Sequence, residues 1–318
     1  MGKYLNPKAD LTFKKVFGEH PRLVISLLNA LLPLEADERV ESITYWPAEK
    51  IPRRTQAEKD SIVDVCCHDN KGREFIVEMQ MTWTESFKKR VLLNASKAYV
   101  AQSEVGEAYQ LLQPVYALNF VNEPMNTGAD GYYHHYRLVH QAKTDEVIDG
   151  LQLVFIELPK FQPRTFSERK MQILWLRFLT EINEKTEEVP NELLENPEVS
   201  EALKIVEVAA YTRDEMRAYD KFWDAISTRK TELLDYEIKI RKAKAEVDAA
   251  KAEADAAKAE ADAAKAEADA AKAEADAAKA RLKQANMDTA RKLKAMGVMT
   301  TAQIAGATGL SNADIEQL

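Results

Sequence analysis

Cysteine is nearly missing from this sequence: 318 residues contain two, Cys66 and Cys67, and they are neighbours. Adjacent strand residues point to opposite faces, so this pair suits small buried hydrophobes and excludes a disulfide framework or a thiolate metal pair. Histidine is also scarce. Three of the five lie together as His134, His135 and His140, and no Cys or carboxylate accompanies them at zinc spacing, so they read as surface and strand-edge residues. Long apolar runs are absent: no stretch of about eighteen such residues occurs, and MGKYLNPKAD has no apolar signal region. The expectation is a protein with no membrane segment and no Sec export, residing in the cytoplasm.

An excess of positive charge is missing as well. Lys and Arg number 44 against 52 Asp and Glu, a formal net charge of −8, which argues against a surface that grips nucleic acid over its whole area. The imbalance is uneven. Four copies of AKAEADA occupy 250–277, each with one Lys, one Glu and one Asp; at −1 per copy they account for −4, half of the excess. Basic groups cluster instead around residues 60–82, at Lys50, Arg53, Arg54 and Lys59 before and Lys88, Lys89 and Arg90 after.

What is present is enough apolar residue, 46% of the chain, for one main domain with appendages. Residues 60–82, DSIVDVCCHDNKGREFIVEMQMT, predict a β-hairpin with strands over 61–68 and 73–81. A three-residue loop, Asn70-Lys71-Gly72, with a bulge at Gly72 sets Asp69 against Arg73 and Asp64 opposite Glu78, with Gln80 on the face of Glu78. Two carboxylates and an amide then converge on one patch of a largely buried sheet. Opposed like charges destabilise a sheet unless compensated, and a divalent cation is the simplest compensation.

The spacing predicts a short helix over 10–18, with Phe13 and Phe17 at i, i+4, and a second after Pro21 with Val24, Leu27, Leu28, Leu31 and Leu32 as its apolar stripe, both packing on the sheet. Asp10 has two readings, helix cap or extra acidic group of the hairpin site; Lys14 lies on the same face. A first strand is expected over 40–46, a long helix over 84–112 with a polar row at Arg90, Asn94 and Lys97, and a strand over 115–121 buried on both faces. Strands at 132–141 and 151–158 and a helical stretch from 166 to 227 complete or cover the core.

DLTFKKVFG, KDSIVDVCCHDNKGREFIVEMQ, YVAQSEVGEAYQLLQPVYAL and LQLVFIELPKF, in this order, resemble the PD-(D/E)xK nuclease superfamily, and within it the Rpn family of recombination-promoting nucleases, over roughly the first 230 residues. The resemblance implies an α/β, restriction-endonuclease-like αβββαβ core with a mixed sheet flanked by helices. It further implies Mg²⁺ (or Mn²⁺) held by Asp64, Glu78 and the Met79 backbone carbonyl, Gln80 at the usual lysine position, DNA as partner, and a link to RecA-independent recombination or transposase-like activity. Two departures stand out: Val63 replaces the proline and Gln80 the lysine, so an amide can orient a water but adds no positive charge. Arg90 and Lys14 are candidates for phosphate contact. Tyr99 and Gln102 read equally as packing or site residues.

The chain divides on this reading into a nuclease core (1–165), a helical extension (166–228), a heptad-repeat helix or coiled-coil spacer (229–285) and a small helix-turn-helix-like tail (286–318). Ile226, Leu233, Ile240, Val247, Ala254, Ala261, Ala268, Ala275 and Leu282 keep one seven-residue register. An alanine seam buries little area, so the larger flanking residues must do most of any pairing. The would-be recognition helix carries Asp314 and Glu316 without Lys or Arg, which suits docking or self-association better than groove reading. Two functions compete: a Mg²⁺-dependent DNA endonuclease that oligomerises through its tail, and a catalytically weak DNA-binding or scaffolding protein whose working part is the tail.

Overall fold

The computed structural model describes residues 3–46, 63–103, 108–125, 128, 130–162 and 170–318. It divides into two compact units, residues 1–233 and 234–318. Lys50, Arg53, Arg54, Lys59, Ser61, Ile62 and Gly106 lie outside the described residues.

The first unit is built on a six-stranded sheet in the order β1-β2-β3-β4-β6-β5. Strands β1 (Ile43–Tyr45), β2 (Val65–Asp69) and β3 (Glu74–Gln80) form an antiparallel meander, and β4 (Val115–Val121) and β6 (Lys143–Glu157) then run parallel to β3. At the edge, β5 (Tyr133–His140) pairs antiparallel with β6. A parallel pair cannot be joined by a tight turn; helix α3 (Glu85–Ala101) makes the crossover from β3 to β4. It covers one face, packing Phe87, Val91, Ala95 and Ala98 over Cys66, Ile76, Ala117 and Phe155.

Helices α1 (Asp10–Gly18) and α2 (Pro21–Leu31) cover the opposite face, as their apolar spacing predicts. Phe13 and Phe17 lie 4.9 Å apart between ring centres, and Phe17 meets Trp175 edge-on. Trp175 belongs to α4 (Lys170–Glu181), which shares this core with Leu203 of α6 (Pro197–Ile205); short α5 (Asn191–Glu195) lies between them. The helical stretch thus completes the core of the sheet. Cys66 and Cys67 are buried on opposite faces, as alternation requires.

The hairpin register is the expected one. Val65 pairs with Val77 and His68 with Glu74, the Asp69 N–H donates to the Arg73 carbonyl, and Gly72 has φ +81°. Asp69 fastens the turn: its Oδ1 accepts the N–H groups of Lys71 and Arg73, and its Oδ2 accepts the Arg73 guanidinium at 2.8 Å.

Four expectations are corrected. The helix expected over 84–112 ends at Ala101, because the Gln102 amide takes the Gln113 N–H and donates to its carbonyl, turning the chain toward a short 3-10 turn, Tyr109–Leu111. The strand expected to begin at Leu151 begins at Lys143, where β5 and β6 extend as a two-stranded ribbon. The first strand is three residues rather than seven. Asp10 does not cap α1, since Ala9 holds that position and Asp10 is bonded to Lys14 instead.

The long helix α7 (Arg213–Met296) begins in the first unit, where Tyr219 is buried against Leu5 and Ala9, and continues through the second. Within the second unit Ile240, Val247 and Leu282 are exposed. The end of this helix packs Ala290 against Ile304 of α8 (Thr301–Thr308) and Ile315 of α9 (Asn312–Glu316). Gly297 and Gly309 adopt positive φ at the turns and Ser311 caps α9, accepting the Asp314 N–H.

Candidate active site

Alternation and register assemble the candidate site at one end of the hairpin. Asp64 precedes β2 by one residue, and continuing the ladder one step beyond Val65↔Val77 sets it opposite Glu78. The Met79 N–H leaves the ladder there and donates to Asp64 Oδ2 at 2.7 Å. In a strand the N–H and C=O of one residue point to the same side. The Met79 carbonyl is therefore turned toward the side where β2 has ended, near both carboxylates.

Helix α3 lays its polar row over Glu78. Asn94, buried within the helix, donates to Glu78 Oε1 at 2.9 Å, and Arg90 donates to Oε2 at 3.2 Å and to Gln80 Oε1 at 2.8 Å. The Gln80 amide donates to the Thr82 carbonyl, so both ends of this side chain are anchored. From the other side of the sheet, Lys14 binds Asp10 at 2.7 Å and reaches Asp64 Oδ1 at 3.8 Å. Asp10 thereby stands among the acidic groups of the site.

The electrostatics are unbalanced at Asp64. Burial pushes its carboxyl up to about 6; the Met79 N–H and the Lys14 cation oppose the rise, while the charges of Asp10 and Glu78 add to it. Such a carboxylate is short of positive charge. Among the described residues no group of three or more His, Cys, Asp and Glu side chains is arranged to hold a metal, so the available donors are two carboxylates and a strand carbonyl. These are hard oxygens suited to Mg²⁺ or Mn²⁺, with water completing the shell. Glu78 has spare lone pairs beyond its two hydrogen bonds, and the Met79 N–H and Lys14 offset the burial of Asp64 only in part, so the residues fit such an ion.

Asp64, Glu78, Met79, Gln80, Arg90, Lys14 and Asp10 therefore come together. Tyr99 and Gln102 do not. The Tyr99 ring lies where a side chain on Gly150 would sit, 3.4 Å from a Cβ built there, and Gln102 is bonded to Gln113, beside the Gly72 turn at the other end of β3. Sequence reasoning left the partner of one residue unnamed and missed two features. Asn94, part of the predicted polar row, makes a shorter hydrogen bond to Glu78 than Arg90 does, 2.9 against 3.2 Å. Asn119, within the apolar run VYALNFV, stands beside Glu78 in the β3–β4 register; its amide bonds the Ala117 and Val154 carbonyls. His134 is not a plain surface residue: it binds the fully buried Glu157 at 2.6 Å, which also holds Lys160 at 3.0 Å and the Met125 N–H at 2.7 Å.

An αβββαβ core with an acidic pair where its second and third strands meet is the architecture of PD-(D/E)XK nucleases. The chain belongs to their transposase branch: the family model described as PD-(D/E)XK nuclease family transposase matches residues 7–228. No curated protein and no solved structure matches the chain. PD-(D/E)XK nucleases use divalent metal ions, and membership implies a DNA substrate. Among the described residues no helix is long and apolar enough to cross a membrane.

Proposed function

We propose that the protein is a metal-dependent DNA endonuclease of the Rpn type, hydrolysing phosphodiester bonds with Asp64, Glu78 and Gln80. The observation that carries this reading is the facing pair Asp64 and Glu78, with Met79 bonded to the first and Arg90 and Asn94 bonded to the second. Asp64, Glu78 and the Met79 carbonyl would hold Mg²⁺ or Mn²⁺, which when bound supplies charge against the phosphate and acidifies water.

The chain's own residues do the rest. Asn94 and Arg90 fix the rotamer of Glu78, so its carboxylate needs little reorganisation on binding. Gln80, held by Arg90 and the Thr82 carbonyl, keeps one N–H and one lone pair with which to orient a water, in place of the usual lysine. Arg90 has a half-exposed side chain beside both Glu78 and Gln80, from which its guanidinium reaches a phosphate oxygen. Lys14, with its ammonium between Asp10 and Asp64, offers a second cation. The biological setting we infer is recombination or transposase-like strand processing. The exposed apolar heptad positions on α7 support self-association through the second unit.

The test is nicking of supercoiled plasmid by the purified chain with Mg²⁺, Mn²⁺, Ca²⁺ or EDTA, beside Asp64→Ala and Glu78→Ala prepared identically. Nicking with Mg²⁺ or Mn²⁺, abolished by EDTA and lowered at least about a hundredfold in both variants, is expected. Equal activity in the variants would place the chemistry elsewhere.

A further inference from the structure

Beside Gln80 and Arg90 a cavity of about 430 Å³ opens between the end of β3, the start of α3 and the first turns of α7. Its size falls within the range of ligand pockets, roughly 300–1,000 Å³. Three independent features of its wall favour an anion. The start of α3, a 17-residue helix, contributes Thr84 and Ser86, and no side chain among the described residues caps its first N–H groups, of which the Phe87 N–H donates to the Thr84 carbonyl; such an end carries partial positive charge and further donors. Glu123 accepts the Trp83 N–H at 2.7 Å just before it, a negative charge that the cations of the wall must outweigh. Thr82 also lines the cavity: the residue is 8% exposed and its hydroxyl is buried with no hydrogen-bond partner among the described residues, a state that costs free energy until a partner arrives. Finally, two arginines flank the space, Arg90 from α3 and Arg229 from α7, the latter's ion pair among the described residues being an exposed contact with Glu232 at 3.6 Å.

We propose that this cavity seats a phosphodiester of the DNA strand next to the scissile one, bound by Arg229, the Thr82 hydroxyl and the N-terminal N–H groups of α3. Arg229 is then a positioning residue that the helical extension supplies to the strand end carrying Glu78 and Gln80. The apolar Phe222 and Ile226 beside it on α7 give the attached sugar or base a surface to rest against. The proposal rests on the nuclease reading.

The experiment measures binding of a short fluorescently labelled DNA duplex to the full chain in EDTA, by anisotropy across a salt series, for the native sequence, Arg229→Ala, Arg229→Lys and Thr82→Val. Arg229→Ala is expected to weaken binding about five- to tenfold and to reduce the slope of log K against log[salt] by about one, while Arg229→Lys keeps the slope. Thr82→Val is expected to weaken binding about threefold or more without changing the slope. An unchanged affinity and slope in Arg229→Ala, with DNA still bound by the native chain, would overturn the assignment and leave the nuclease reading standing. A native chain that neither binds DNA nor nicks plasmid would sink both.

Discussion

Asp64 keeps its proton to about pH 6 in the folded chain because it is buried, whereas in the unfolded chain it loses it at about pH 4. Between these values the native state binds more protons, so this group's contribution to stability is complete below pH 4 and is lost as pH rises through 6. The ionised carboxylate at neutral pH costs about 2–3 kcal/mol on this basis. Asp64→Asn, which keeps an oxygen for the Met79 N–H, is therefore expected to raise the melting temperature in EDTA at pH 8 while leaving it nearly unchanged at pH 4, and to abolish nicking at either pH. Thermal melts of both proteins at the two pH values check this; equal melting at pH 8 would show that the charge is already compensated. The facing of Asp64 and Glu78 was legible because Gly72 sets the turn and strand alternation carries the register onward. Helical spacing put Asn94 in a polar row but could not name its partner, and Asn119 and the His134–Glu157 pair were not legible, because each is a polar group whose partner is distant in sequence and which periodicity treats as an interruption of an apolar face.

Among the elements, the hairpin turn has the tightest sequence requirement. Gly72 sits at φ +81°, and a Cβ there would meet the Gln113 side chain at 3.4 Å. Gly72→Ala is expected to destabilise the first unit by about 1–2 kcal/mol, with Gly72→Asn costing less, because left-handed backbone is disfavoured for residues with a Cβ and least so for Asn. Denaturation followed through tryptophan fluorescence reads the difference, and equal stability of Gly72→Ala would contradict it. Helix α1 and strand β4 were legible by their bounds and α2 by its start and apolar stripe, since the helices carry an apolar period and the strand a continuous apolar run bounded by Pro114. The end of α3 was not. Tyr99, Gln102 and Tyr109 continue a helical spacing past Ala101, yet the Gln102 side chain offers Gln113 the two hydrogen bonds that closing the loop requires. A tertiary bond outweighs local propensity, as it does where the β5–β6 ribbon lengthens a strand predicted to start at Leu151.

For the whole molecule, the sheet and the helices that cover both its faces lie within residues 1–233, and the second unit has a small core of its own around Ala290, Ile304 and Ile315. A chain ending after Leu233 keeps the hairpin, α3, and the Arg229 side of the cavity. It is expected to retain a cooperative thermal transition within about 5 °C of the full chain's and metal-dependent nicking, while losing self-association in analytical ultracentrifugation. Loss of the transition would show that the first unit does not fold alone; unchanged association would move the oligomer contact out of α7's exposed seam.

The four AKAEADA copies have a consequence for how such a chain meets its substrate. Every residue of 250–277 is exposed on a helix, about 42 Å of it at 1.5 Å per residue, and it carries a net charge of −4. To a DNA duplex, itself a dense line of negative charge, that segment is a repulsive rod felt over about 8–10 Å at physiological salt. On the nuclease reading it is expected to act as a fender, discouraging stray duplex from lying along the helix, and each copy gained or lost alters the length of the barrier by about 10 Å without changing its charge density.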